Sequence, residues 1–149
     1  MSHLETVRRI YERFAHGDMP AILAIFEEDI EFRLAQGHPY QPDGKPWVGA
    51  RAITENFFDK VGPEWQNWTF YVDAAVEAPD ALVVEGRYAA VYKPTGRPLD
   101  AQACHVWRFR DGQIASFHQY VDTAHVQDVM GARRAHGQAG RRAQRMPRA

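Results

Sequence analysis

At residues 111 and 112 the chain reads Asp-Gly, and the runs on either side, residues 101–110 and 113–121, alternate apolar with polar side chains. An Asp-Gly pair supplies the left-handed backbone that a tight hairpin turn needs, and a period of two marks a strand with one buried face. These two runs therefore pair antiparallel. The alternation begins earlier: Trp68, Phe70, Val72, Ala74 and Val76 alternate with Thr69, Tyr71, Asp73 and Glu77. Ala78, Pro79 and Asp80 then turn the chain into a second β-rich run over residues 82–92, and residues 93–98 (Lys-Pro-Thr-Gly-Arg-Pro) make the next connection. Four long meander strands fill the second half of the chain, and one face of such a sheet must be covered.

The first half supplies the cover. Leu4, Val7, Tyr11 and Phe14 are spaced as the buried stripe of an amphipathic helix, which Gly17 closes. Asp18 stands at an N-cap position with Pro20 in the first turn, and Ile22, Leu23, Ile25 and Phe26 form the apolar face of a second short helix, ended by Glu27, Glu28 and Asp29. Ile30, Phe32 and Leu34 alternate with Glu31 and Arg33 as a half-buried strand. Residues 37–46, with three prolines and two glycines, form a loop bordered by His38, Tyr40 and Trp47. Ala52, Ile53, Phe57 and Phe58 return to helical spacing over residues 49–60, and Asp122 is placed to cap a last helix over 123–130. The expectation is an α+β domain over residues 1–130, a curved, mainly antiparallel sheet wrapped as a cone around three N-terminal helices and enclosing a cavity.

Length and composition narrow the function. A chain of 149 residues makes one domain with a full core. Its longest apolar run, residues 21–26, is far short of the roughly 20 residues of a membrane span, and a start containing His3 and Glu5 lacks a secretory apolar stretch, so the expected compartment is the cytoplasm. The single cysteine, Cys104, excludes an internal disulfide and a cysteine zinc cluster. No two of the seven histidines fall at i, i+3 or i, i+4 on a helix, and no phosphate-binding loop is present, so neither metal nor cofactor is expected. Charge is uneven: residues 1–130 carry 12 Lys/Arg against 19 Asp/Glu, while 131–149 carry six arginines and no acid. That basic tail has too few apolar residues to order itself, and no aromatics interleave its arginines as in a single-strand nucleic-acid binder.

The blocks Trp107-Arg108-Phe109-Arg110-Asp111-Gly112-Gln113-Ile114 and Tyr120-Val121-Asp122-Thr123, in this order of elements, resemble the SnoaL-like, ketosteroid-isomerase-related branch of the nuclear transport factor 2-like superfamily over roughly residues 4–130. The resemblance implies the cone fold and a ligand in its cavity. It also places His105 at a strand position that holds an enolate-stabilising acid in the isomerases and a histidine in the cyclases. The cyclase acid falls on Gln119, the isomerase base on Leu34, and the isomerase tyrosine on Ile10, next to Tyr11. Glutamine orients by hydrogen bonding but transfers no proton at neutral pH.

The residues themselves point to the same strand pair. Ile114 and Phe117 are three apart, so if both face the core a β-bulge sits near Ala115 and Ser116. Beyond it Gln119 shares the face of Phe117, while Ala103, His105, Trp107 and Phe109 line the partner strand. His105 and Gln119 then meet one cavity, and burial favours a neutral imidazole. Two readings follow. One is a cofactor-independent isomerase, cyclase or hydratase acting on a small apolar oxygenated molecule, with His105 as acid-base or oxyanion donor and Gln119 orienting. The other is a non-catalytic ligand-binding or dimeric interaction module in which His105 is a ligand contact or a satisfied core residue. Tyr40, Trp47, Phe57, Trp107, Phe117 and Asp122 are the candidate ligand contacts, with Asp122 better explained as a helix cap and Tyr40 and His38 equally explained as packing. Trp65 and Trp68 read as hydrophobic wall. Val83, Ala89, Val91, Tyr71 and Val106 lie opposite the core set and are too apolar to stay wet, which implies a homodimer through the outer sheet face.

Overall fold

The computed structural model describes residues 1–132. The expectation for the basic tail concerns residues 131–149, of which 133–149 lie outside the described residues. Helix α1 (His3–Ala15) opens with a capping box in which Ser2 Oγ accepts from Glu5 N at 3.1 Å and Glu5 answers to Ser2 N at 3.0 Å, and it buries Val7 and Ile10. Helix α2 (Met19–Leu23) is capped by Asp18 and buries Ile22. Strand β1 (Phe26–Arg33) and the two-residue β2 (Trp47–Val48) follow. The third helical stretch is composite: α3 (Gly49–Ile53), a π-helical turn (Thr54–Phe58) and α4 (Asp59–Glu64). Strands β3 (Trp65–Ala78), β4 (Ala81–Tyr92), β5 (Arg97–Arg110) and β6 (Gln113–Val121) form the meander, and α5 (Thr123–Val129) starts from Asp122, whose Oδ1 accepts from His125 N. Among the described residues no helix is long and apolar enough to cross a membrane.

The six strands make one curved open sheet in the order β2-β1-β6-β5-β4-β3, confirming the α+β cone. Its core contains Ile22, Ile30, Leu34, Ile53, Leu82, Val84 and Ile114, all fully buried. Four local readings are corrected. Phe26 starts β1 rather than closing α2, because it pairs with Ile114 and Ile114 N donates to Ile25 O; Glu27, Glu28 and Asp29 thus run along a strand. β1 lies parallel to β6, with Phe32 beside Phe117, so the antiparallel pattern has one exception. Trp47 belongs to β2, paired with Phe32, instead of a loop edge. In β3 the alternation breaks at Asp73, where the register to β4 slips by one residue, and Val76 comes to face outward opposite Val83.

The bulge expected in β6 is present. Arg108 pairs with Ser116 and Phe109 with Ile114, leaving Ala115 as the extra residue. Beyond it Trp107 stands opposite Phe117 and His105 opposite Gln119. At the π-helical turn Asn56 Nδ2 donates to Ala52 O at 2.8 Å, a side-chain bond to the carbonyl that the Asn56 backbone N–H would meet in an α-helix. Phe57 and Phe58 on this turn are both buried.

Candidate functional site

The inner faces of β1 and β3–β6, with α1, α2 and the π-helical turn, line a cavity of about 190 Å³. Phe14, Phe32, Phe57, Phe70, Trp107 and Phe117 supply most of its wall, and its polar side chains are Tyr11, Thr69, Tyr88 and His105. No Asp, Glu, Lys or Arg lines it among the described residues.

His105 is 3% exposed. Its Nδ1 lies 2.7 Å from the Tyr11 hydroxyl and its Nε2 2.5 Å from the Tyr88 hydroxyl. Phe70 stacks on the imidazole at 4.2 Å with 16° between planes, and Phe117 meets it edge-on at 5.0 Å. Burial pushes the His105 pKa down to about 3, so the ring is neutral. Trp107 Nε1 donates to the Tyr11 oxygen at 3.1 Å and Gln119 Nε2 to the Tyr88 oxygen at 3.1 Å. The result is one hydrogen-bonded chain, Trp107–Tyr11–His105–Tyr88–Gln119. Burial holds both phenols above the usual tyrosine range, against the lowering pull of the Trp107 N–H on Tyr11 and of the Gln119 amide on Tyr88. Neither phenol ionises near neutral pH.

Of the candidates read from sequence, His105, Phe57, Trp107 and Phe117 converge on the cavity. Gln119, the register partner of His105, is buried but is not among the residues lining the cavity; its amide hydrogen-bonds the Tyr88 hydroxyl, which in turn meets His105. Tyr40 lies away from the wall: its hydroxyl donates to Glu64 Oε1 at 2.7 Å and accepts from Trp65 Nε1 at 3.0 Å, which latches the proline-rich loop to the start of β3. His38 is buried beside it with its pKa pushed down to about 4, and its Nδ1 accepts from Tyr40 N. Trp47 packs behind the wall on Phe32 and Phe57. Asp122 caps α5 and borders an open polar groove with Asp73 and Glu85, outside the cone. Trp68 does line the cavity, whereas Trp65 is buried behind it. Among the described residues no group of three or more His, Cys, Asp or Glu is placed to hold a metal ion.

The sequence pattern does not mark Tyr11 and Tyr88 as site residues, although both line the cavity and hold His105. Tyr11 sits in the buried stripe of α1, and Tyr88 shares the inward parity of Leu82 and Val84 on β4. A buried tyrosine oxygen must find a partner, and a buried histidine offers two.

A six-stranded sheet curved over helices, with a polar array inside an aromatic cavity, defines a nuclear transport factor 2-like cone, and solved structures agree. A nuclear transport factor 2-like protein from Burkholderia thailandensis E264 superposes with a TM-score of 0.78 at 31% identity, covering 87% of this chain and 98% of that one. A protein of the same class and unknown function from Burkholderia pseudomallei K96243 gives 0.77 at 26%, covering 85% and 95%. A protein with a ketosteroid isomerase-like fold from Catenulispora acidiphila DSM 44928, solved with trimethylamine, gives 0.72 at 17%, covering 89% and 96%, a likeness of fold alone. The chain belongs to the SnoaL-like domain family, whose pattern matches residues 7–117. No curated protein matches it.

Proposed function

We propose that this protein binds a small, neutral, apolar molecule carrying one oxygen function, with that oxygen hydrogen-bonded to the tyrosine–histidine array on the cavity wall. The observation that carries this reading is a buried His105 held between two tyrosine hydroxyls in a cavity that, among the described residues, no carboxylate or cationic side chain lines. A charged ligand would meet no counterion there, and its desolvation would be uncompensated. Isomerisation of a carbon acid requires a base in the cavity. His105, with a pKa near 3 and both nitrogens engaged, is a poor one. Hydrogen-bond polarisation of a ligand oxygen is the chemistry the array supports, so binding comes ahead of the isomerase, cyclase or hydratase reading.

Size restricts the ligand further. The cavity of about 190 Å³ exceeds the roughly 150 Å³ that accommodates benzene and falls below the roughly 300 Å³ at the small end of drug-sized sites. One or two rings fit this range, and the rest of a larger skeleton would have to extend beyond it. Titration calorimetry with 1-indanone and indene checks the reading. Indanone should bind more tightly than the hydrocarbon, by about 1 kcal/mol for the added hydrogen bond, and should shift the His105 and Tyr11 resonances. Absence of any shift from neutral one- and two-ring probes would refute it.

A further inference from the structure

The chain Trp107–Tyr11–His105–Tyr88–Gln119 can be counted hydrogen by hydrogen. Trp107 Nε1 only donates, so the Tyr11 oxygen accepts from it. Gln119 presents Nε2 to Tyr88, so the Tyr88 oxygen accepts there. A neutral His105 has one N–H and one bare nitrogen; of its two tyrosine bonds it donates in one and accepts in the other. Three hydrogens, two hydroxyl and one ring, therefore serve two bonds. One hydroxyl hydrogen is left over.

Its location depends on the direction of the chain. If Tyr88 donates to Nε2, then Nδ1–H donates to Tyr11, and the Tyr11 hydroxyl is free to donate into the cavity that it lines. In the opposite direction Tyr11 donates to Nδ1 and Nε2–H donates to Tyr88. Tyr88 borders the cavity too but is more deeply buried than Tyr11, 5% exposed with His105 and Gln119 on its hydroxyl, so the acceptor for its spare hydrogen is Gln119 Oε1, reached if the amide turns over. That arrangement strands the Gln119 NH2 group in the interior. In the structure it is Oε1 that is buried without a partner. A buried carbonyl oxygen is more readily left short of a partner than an N–H, so the first direction prevails.

We propose that Gln119 sets the direction of this chain and thereby the hydrogen-bonding polarity of the cavity: Tyr11 faces the ligand as a donor, and the site selects a neutral ring ketone over the matching alcohol. The selection rests on the ligand site proposed above. A ketone oxygen accepts the spare hydrogen. An alcohol brings a hydrogen of its own, which the Tyr11 oxygen cannot take, because it already accepts from Trp107 Nε1 and from His105 Nδ1–H. Gln119 touches no ligand; it is a positioning residue that acts through Tyr88 and His105.

Nitrogen-15 NMR of the histidine-labelled full chain, without ligand, reads the His105 tautomer. The wild type should carry its proton on Nδ1 and leave Nε2 bare. Gln119→Leu takes the amide away without supplying an acceptor to Tyr88 and should keep Nδ1–H, while Gln119→Glu places a carboxylate acceptor there and should shift the ring toward Nε2–H. Paired titrations with 1-indanone and 1-indanol should favour the ketone by about tenfold in the wild type, with the preference erased or reversed in Gln119→Glu. An Nε2–H tautomer in the wild type overturns the proposal and needs no variant to fold. A tautomer unchanged in folded Gln119→Glu overturns the role of Gln119. If the tautomers respond as described and neither probe binds, the control exerted by Gln119 is supported and the ligand reading of the preceding section falls.

Discussion

His105 and His38 stay neutral because each is buried among groups that offer hydrogen bonds and no negative charge. Unfolded, both titrate near 6.5; folded, at about 3 and about 4. Between these limits the unfolded chain takes up protons that the folded chain refuses. Their contribution to stability is therefore complete above pH 6.5 and declines as pH falls, by about 1.4 kcal/mol per unit for each histidine, until the folded sites themselves protonate. Urea unfolding at pH 7 and pH 5 should show a clearly lower midpoint at pH 5, with a shallower dependence in His105→Gln. A midpoint independent of pH over this range would mean the rings are not buried as described. Gly86 acts on the same histidine from the neighbouring strand. A Cβ there would collide with the Tyr71 carbonyl oxygen and with the ring of Phe70, the ring that stacks on His105. Gly86→Ala should cost about 1–3 kcal/mol through overpacking and should also move the His105 ring-proton shifts as Phe70 is displaced. Unaltered shifts would separate Gly86 from the site.

Among the elements, the proline-rich loop shows how a segment without regular structure is held. Gln41, 1% exposed, accepts from Leu34 N at 2.9 Å and donates to Phe32 O at 3.2 Å, so one side chain takes the place of a neighbouring strand at the end of β1. Gln41→Leu strands a buried N–H and a buried C=O and should cost about 2–4 kcal/mol by denaturant unfolding, with faster amide exchange at Leu34. A loss under roughly 0.5 kcal/mol, the range of an ordinary surface change, would show that water replaces the amide freely. The sequence marked residues 37–46 as a loop but not its anchor, because the partners of Gln41 are backbone atoms that become available only once β1 is paired. The same distinction holds elsewhere. The α1 stripe, the Asp111-Gly112 hairpin and the bulge at Ala115 were legible because periodicity and turn chemistry are local. The parallel pairing of β1 with β6, the short β2 and the strand conformation of Glu27, Glu28 and Asp29 were not, since sheet neighbours distant in sequence impose them. In the site, strand parity brought His105, Trp107 and Phe117 together, while the Tyr11–His105–Tyr88 contacts join three elements whose mutual placement no local pattern encodes.

At the scale of the whole molecule the sheet has two unlike faces. Its inner face closes over the cavity; its outer face carries Val76, Val83, Val106 and His118 as register partners in a row across β3, β4, β5 and β6. Tyr71 and Val76 are 56% and 64% exposed, and Tyr120, stacked on His118 at 4.1 Å, is 50% exposed. The slip at Asp73 is what brings Val76 into this row, so the outer face is more apolar than strict alternation along β3 implies. We propose that two copies pair through it, burying the row isologously. Sedimentation should then give twice the 17.0 kDa chain mass, and a monomer at roughly tens of micromolar, where a stable pair persists, would exclude it. Val83→Glu with Val106→Glu places like charges in the middle of the row and should yield a folded monomer, because both side chains point away from the core. His105 lies on the other side of the same strands, behind Tyr88 and Phe70. If pairing and the cavity are independent, the double variant should keep the His105 tautomer and the indanone affinity of the wild type; a monomer that has lost either would show instead that the partner copy helps hold β4 and β5 in the curvature that closes the cavity.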